Sequence, residues 1–397
     1  MDAPIQCLVQ DLQGRLCCSS PLNLTEFERE MSSPLIGLVG NNSEIAFRGG
    51  FCDSPSTIEM GCFMKLTETE QKTLSHKLYT ALVLPLKDDA LDEPGLRRLV
   101  RYFAEHRFAQ VGGLIANPEA GEVAYLSRAE KCRVLKIVME EAAGRLPVLA
   151  GTFGWTTHDA VEAAQDAKAH GVDGIFVIPP AGSMDVSVAW DAARYPEVWI
   201  DQLLLQQEAV DLPMFAHPIS NSTPQWGLGL PLEATLAVCR AVPNMIGWKM
   251  TYSPQGARLI GRALREHFPN VAVMPSSAHL FHDYLASGWQ FDGSISGSFN
   301  YAMEPMLEHI EAFDRLDLLA ARKIWNGGMA RLHEYVYAEP GRLHVRYKIA
   351  TWLRGLIDSP LMRAPMPRPR SEEIVTLSRL MSAAGLTVVR SPSETVI

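Results

Sequence analysis

From residue 79 onward the chain repeats one pattern: a short apolar, β-favouring run, then a longer stretch whose apolar positions recur at helical spacing. The runs are YTALVLPL at 79, VGGLIAN at 111, VLAGT at 148, GIFVIP at 174, PMFAHP at 213, MIGWKM at 245, VAVMPSS at 271 and GSISGS at 293. Between them Leu96, Leu99, Val100 and Phe103 follow the i, i+3, i+4, i+7 order of a helix face, and so do Ala160, Ala163, Ala164 and Ala167. Asp92 ahead of Pro94, and Ser127 paired with Glu130, supply helix-starting caps. Strand starts 22 to 39 residues apart, with a helix in each interval, are the mark of parallel βα units with right-handed crossovers.

Eight such units predict an α/β protein of the (β/α)8 barrel type over 76–313. An open, doubly wound sheet is the alternative. No G-x-G-x-x-G follows the first strand and no P-loop occurs, so nothing supports the nucleotide site that such a sheet usually carries. Helical stretches around 315–336, 345–357 and 371–385, separated by AEPGR and DSPLMRAPMPRPR, predict a C-terminal helical appendage over 314–390.

Residues 1–75 break the pattern and read as an N-terminal extension, poorly ordered, with Met64 as a natural start. Five of the seven cysteines (Cys7, Cys17, Cys18, Cys52 and Cys62) fall in this stretch. It has no CxxC pair and no histidine before His76, so the usual zinc-ligand spacings are missing.

Charge narrows the functions further. Thirty-six Lys and Arg against 45 Asp and Glu leave −9, the wrong sign for gathering nucleic acid or anionic lipid. No run reaches the roughly 18 apolar residues of a membrane span, and the start lacks the basic-then-apolar order of a signal peptide. The expectation is a cytoplasmic protein that binds neither nucleic acid nor membrane.

In a (β/α)8 barrel chemistry is built at the C-terminal ends of the strands. Of ten lysines only Lys249 lies inside an apolar strand, IGWKM. Desolvation lowers a lysine pKa and supplies the neutral amine that attacks a carbonyl carbon; the plain alternative is a side chain that points outward and snorkels past the helices. His217, ending the fifth strand on the same face as Phe215, is the second candidate, either as a proton shuttle or as a hydrogen-bonded structural histidine. In the loop NPEAGEVAYLSRAEK, Gly121 and its neighbours can offer backbone N–H groups to a carboxylate while Glu122 orients the loop; Glu119 is an acid or base, or a solvated loop carboxylate. Ser276, Ser277, Ser296 and Ser298 put hydroxyls near the ends of strands seven and eight. No G-x-S-x-G or HExxH occurs, and Cys132 and Cys239 fall in helical segments as small hydrophobes.

Four motifs carry a family resemblance: GE with the L-S-x-x-E-K spacing at 121–131, AGT at 150–152, N-x-I-G-x-K at 244–249 and GSISGSFN at 293–300. Over about residues 78–386 the chain resembles the dihydrodipicolinate synthase and N-acetylneuraminate lyase family of Schiff-base aldolases. The resemblance implies that Lys249 condenses with the ketone of pyruvate or another 2-oxo acid, with no cofactor and no metal, in a homotetramer. It implies substrate contacts at Glu119, Ala120, Gly121, Phe215, Ser276 and Ile295.

The departures are specific. Glu119-Ala120 replaces the family's paired hydroxyls, leaving backbone amides or Asn117 to hold the oxo-acid carboxylate. Phe215 falls where the family has its catalytic tyrosine, with His217 the local substitute. Ser220 replaces the arginine of dihydrodipicolinate synthase itself, and Ala181 its neighbouring-subunit tyrosine, so lysine biosynthesis is not the expected role. The expected function is a Schiff-base-forming lyase, aldolase or hydro-lyase, with Lys249 and His217 catalytic. Alternatives are a 2-oxo sugar-acid dehydratase of the same family, a non-catalytic oxo-acid-binding barrel and, third, a metal-dependent barrel lyase. Trp155, Trp226 and Phe215 lean the expectation toward an aromatic or apolar substrate.

Overall fold

A computed structural model describes residues 66–180, 190–288 and 291–391, together with the strand segments Val9–Gln10 and Leu16–Cys17. The chain divides into two units, residues 1–59 and 60–397. In the first unit, Val9 pairs with Cys17 and Gln10 with Leu16 in an antiparallel ladder. The questions of a zinc site among the N-terminal cysteines, of Met64 and of Ala181 lie outside the described residues.

The second unit holds eight parallel strands at the eight predicted runs: β1 Leu78–Ala81, β2 Gly112–Ala116, β3 Val148–Gly151, β4 Gly174–Val177, β5 Met214–Ala216, β6 Met245–Met250, β7 Ala272–Pro275 and β8 Ser294–Ser296. Their order, β7-β6-β5-β4-β3-β2-β1-β8, is that of a barrel cut at the β7/β8 seam. A side chain completes the seam. Asp292 donates its N–H to Val273 O (3.0 Å) and accepts the Val273 N–H on Oδ2 (2.7 Å), while Arg265 holds the same carboxylate at 2.7 Å.

The helices are α1 Glu68–Ser75, α2 Glu93–Ala104, α3 Arg128–Ala142, α4 Thr157–Ala169, α5 Glu197–Val210, α6 Leu232–Ala241, α7 Pro254–His267, α8 Phe281–Ser287, α9 Phe299–Asp314, α10 Leu318–Ile324, α11 Ala330–Tyr337, α12 Leu343–Leu353 and α13 Ser371–Ala383. None is long and apolar enough to cross a membrane. The predicted caps are present: Asp92 accepts from Gly95 N, and Ser127 with Glu130 closes a capping box. Leu96, Leu99, Val100 and Phe103 are buried. Helix α1 was not expected, because its stretch lies in the segment assigned to the extension. A Thr67–Glu70 capping box starts it, and Leu74 packs on the interior cluster while its carbonyl accepts the Tyr79 hydroxyl at 3.0 Å.

Inside the barrel Tyr79, Ile115, Leu149, Phe176, Phe215, Met274 and Ile295 form a packed cluster, as expected of side chains from alternating strands. Two glycines make room for its rings. A Cβ on Gly113 would meet Tyr79 at 2.4 Å, and one on Gly247 would meet Phe215 at 2.4 Å. The glycine of the I-G-x-K motif is therefore a packing requirement.

The C-terminal helices are tied to the barrel by charge. Lys348, on α12, donates to Glu122 at 2.6 Å with neither side chain exposed, and Glu122 also accepts the Arg363 N–H at 2.6 Å. Glu122 thus orients its loop by anchoring it to the appendage.

Candidate active site

The β6 register against β5 shifts by one residue between Met245 and Gly247, after which Gly247 faces Phe215 and Trp248 faces Ala216. Lys249 then stands beside His217, which follows β5 and donates its N–H to Val177 O at 2.8 Å. Trp248 points outward, fully buried, with its indole N–H on the Tyr252 hydroxyl at 3.0 Å. Period-two alternation accordingly turns Lys249 into the mouth of the barrel, which excludes the outward, snorkelling alternative.

Lys249 Nζ lies 3.1 Å from His217 Nε2, and His217 Nδ1 lies 2.9 Å from Glu119 Oε2. Phe176 supports both groups: the imidazole stacks on its ring at 5.5 Å and 17°, and the ammonium lies 5.6 Å from its centroid. Glu119 reaches this position because Asn117 turns the chain at φ +54° and a short 3-10 turn, Glu119–Gly121, follows Pro118.

The electrostatics follow from burial and this alignment. Burial pulls the Lys249 ammonium down to about 8, with Glu119 partly opposing it. Burial also lowers the His217 pKa, Lys249 lowers it further, and Glu119 opposes them only in part. Burial alone would raise the Glu119 pKa, but His217 and Lys249 together hold it well below the usual carboxylate range. A carboxylate, a mostly neutral imidazole and a partly neutral amine therefore stand in line. With the Nδ1 proton directed at Glu119, Nε2 is free to accept from Nζ.

These groups open into a cavity of about 380 Å³. Of the residues expected at the site, Lys249, His217, Glu119, Ala120, Ser276 and Ile295 line it. Two do not. Gly121 turns away and donates its N–H to Pro118 O at 2.9 Å. Phe215 is packed one layer below, against Tyr79 at 5.4 Å, because it sits two residues before His217 on an inward-facing position within β5.

Asn117 is also withdrawn from any carboxylate in this cavity. Its Nδ2 donates to Lys131 O at 3.1 Å, and it lines a separate cleft with Trp155 between α3 and α4. Trp226 does not line the cavity either, so the aromatic lean had the wrong carriers. The aromatic wall is made instead by Phe176, Tyr337 and Tyr347.

Sequence reasoning missed the contribution of the appendage: Tyr337, Leu343, His344 and Tyr347 all line the cavity. Tyr347 donates to the Tyr337 hydroxyl at 2.6 Å, which donates to Ser276 O at 3.0 Å. One signal was available. In HVRYKIATWL, polar His344, Tyr347 and Lys348 recur at i, i+3, i+4 on one face of the helix.

Fold and site together give a (β/α)8 barrel with a lysine, a histidine and a carboxylate in line at its mouth. A sequence profile of the Dihydrodipicolinate synthetase family matches residues 74–183. The chain is 29% identical over 276 residues to the 4-hydroxy-tetrahydrodipicolinate synthase of Methylococcus capsulatus, covering 68% of this chain and 86% of that one. It is 28% identical over 308 residues to the enzyme of that name from Methanopyrus kandleri, covering 77% and 95%. Among solved structures, dihydrodipicolinate synthase from Aquifex aeolicus superposes with a TM-score of 0.66 at 21% identity, over 79% of this chain and 99% of that one. YagE, a prophage protein from E. coli K12 solved with pyruvate, gives 0.65 at 21%, over 78% and 99%. Over most of its length the chain is thus similar to enzymes of the dihydrodipicolinate synthase family.

Proposed function

We propose that the protein is a Schiff-base-forming lyase acting on a 2-oxo acid such as pyruvate or its aldol adducts. The observation that carries this reading is the 3.1 Å approach of His217 Nε2 to the Nζ of a half-buried lysine whose pKa is drawn down to about 8. At pH 8 about half of such amines are neutral, against roughly one in 300 at the ordinary lysine value.

The neutral Nζ attacks C2 of the oxo acid. The carbonyl oxygen takes one proton from solvent to become the carbinolamine hydroxyl, and His217 takes a nitrogen proton and delivers it to that hydroxyl, which leaves as water and gives the protonated imine. That imine draws the C3–C4 electron pair as the C4 hydroxyl loses its proton, releasing an aldehyde and leaving an enamine. Protonation at C3 and hydrolysis then free the lysine.

Three features bear on the substrate. Thr251, two residues beyond Lys249, lines the cavity, and its buried hydroxyl has no hydrogen-bond partner among the described residues, so it is available to the oxo acid. Ser220 also lines the cavity, where the family's arginine is expected. Ile219, Leu228, Pro340 and Leu343 surround the remaining space, which favours a substrate whose far end is apolar over a polyhydroxylated sugar acid. On the family likeness the working form is read as a cytoplasmic homotetramer.

The test is intact mass after borohydride reduction with pyruvate, for the wild type and Lys249→Ala. An adduct of pyruvate size on the wild type alone is expected. Absence of an adduct with pyruvate and with a panel of larger 2-oxo acids would transfer the assignment to a non-catalytic binding barrel.

A further inference from the structure

The titratable groups that line the cavity differ in how far they are already engaged. Glu119, His217 and Lys249 hold one another. Tyr347 and Tyr337 commit their protons to each other and to Ser276 O. His279 is also without a hydrogen-bond partner at its buried Nδ1 among the described residues, but it packs on Tyr337 with ring centroids 4.8 Å apart, and the charges acting on it are Glu334 and Asp283, outside the cavity. His344 is the unengaged imidazole on which Glu119, Lys249 and His217 act. It is the second residue of α12, half-buried, and its imidazole makes no hydrogen bond to a described residue, touching only the Tyr347 ring at 6.0 Å.

Lyase chemistry moves protons at two places. Imine formation moves them at the lysine nitrogen, whereas enamine formation moves one at C3, two bonds further on. His217 suits the first task and not the second. Its ring is stacked on Phe176, its Nδ1 is fixed by Glu119, and its Nε2 is directed at Nζ. His344 enters from a helix of the appendage, so it meets the bound substrate from another side than the strand-borne lysine and histidine.

We propose that His344 is a catalytic residue: the base that removes the C3 proton of the lysine-bound 2-oxo acid, and the acid that returns it to the aldehyde oxygen. The role rests on the lyase reading above. In the synthetic direction, the neutral imidazole takes the C3 proton, and the C–H electron pair becomes the enamine double bond as the imine π pair moves onto nitrogen. The enamine carbon then bonds to the aldehyde carbon, the imine re-forms, and the carbonyl π pair on oxygen accepts the proton from the imidazolium. Cleavage is the reverse, and no other reactant is required.

Three charged or titratable groups from three elements face His344: Glu119 in the loop after β2, His217 after β5 and Lys249 on β6. Burial lowers its pKa below the ordinary 6.5, Glu119 opposes this, and Lys249 and His217 add to it. The imidazole is thus mostly neutral at neutral pH, the form in which a base is needed.

The test uses pyruvate alone in D2O, following exchange of its C3 protons by NMR, with borohydride trapping in parallel, for the wild type, His344→Asn and His344→Gln. The trapped adduct is expected to stay within about twofold of wild type in both variants, which also shows that they fold. Exchange is expected to fall at least about 100-fold, the size of a general-base contribution. The wild-type exchange rate should rise with pH through an ionisation below 6.5 that both variants lack. Exchange within about threefold of wild type overturns the role, as does a parallel fall of exchange and trapping, which marks a structural histidine. A wild type that traps no adduct overturns the lyase reading itself, and this role with it.

Discussion

Glu119 holds His217 in place: its Oε2 lies 2.9 Å from Nδ1, on the far side of the imidazole from Lys249. A loop carboxylate has become the anchor of a proton-transfer line. Its charge also raises the pKa of both cations, so its loss has a predictable sign.

In Glu119→Gln the opposing negative charge is gone, and the Lys249 pKa falls below the wild-type value of about 8. The rate of adduct formation rises with pH as the amine becomes neutral, so the midpoint of that limb moves to lower pH. The plateau falls about 100-fold because His217 loses its fixed orientation. Trapping rates measured from pH 5 to about 10 check both statements; an unmoved midpoint would separate Glu119 from the lysine.

Restoring the family's tyrosine at position 215 is expected to fail. The Phe215 ring is fully buried among Tyr79, Phe176 and Met274, below the cavity. A hydroxyl there meets no substrate and is buried without a partner, at about 1 to 3 kcal/mol. Phe215→Tyr should unfold at lower denaturant than wild type and trap pyruvate no faster. A gain in trapping rate would show that the ring reaches the cavity.

The pair Glu122–Lys348 is expected to matter more than any surface ion pair. Neither side chain is exposed, so Lys348→Met leaves a carboxylate buried without its cation, at about 3 to 5 kcal/mol. The double variant Glu122→Gln, Lys348→Met should recover more than half of that loss. Urea unfolding of the wild type and the two variants measures it, and a single-variant loss under about 1 kcal/mol would contradict the assignment.

The barrel was legible because each strand is a short apolar run bounded by turns, and because hydrophobic period depends only on local sequence. Lys249 was legible for the same reason, as the one cation in such a run. What local pattern cannot convey is depth and return. Phe215 and His217 share a strand face, yet one lies in the packed interior and the other in the cavity, a difference set by where β5 ends. Tyr337, His344 and Tyr347 enter the site because the appendage folds back over the barrel mouth. The register step at Met245–Gly247, which brings Lys249 beside His217, leaves no mark in the apolar pattern either.

The carboxylate of Asp292 also ties two strands whose far ends are walls of the cavity. Strand β7 leads directly into Ser276, and β8 carries Ile295 and Ser296; all three line the cavity. A ladder would fix their separation at every residue, whereas here Asp292, held by Arg265, ties the seam at its foot, and the Tyr337 hydroxyl, which donates to Ser276 O and lies 3.4 Å and 3.2 Å from the Ser296 and Ser298 hydroxyls, ties it at the mouth. At the mouth, therefore, the spacing of these two walls is set by a tyrosine of the appendage and not by backbone pairing between strands.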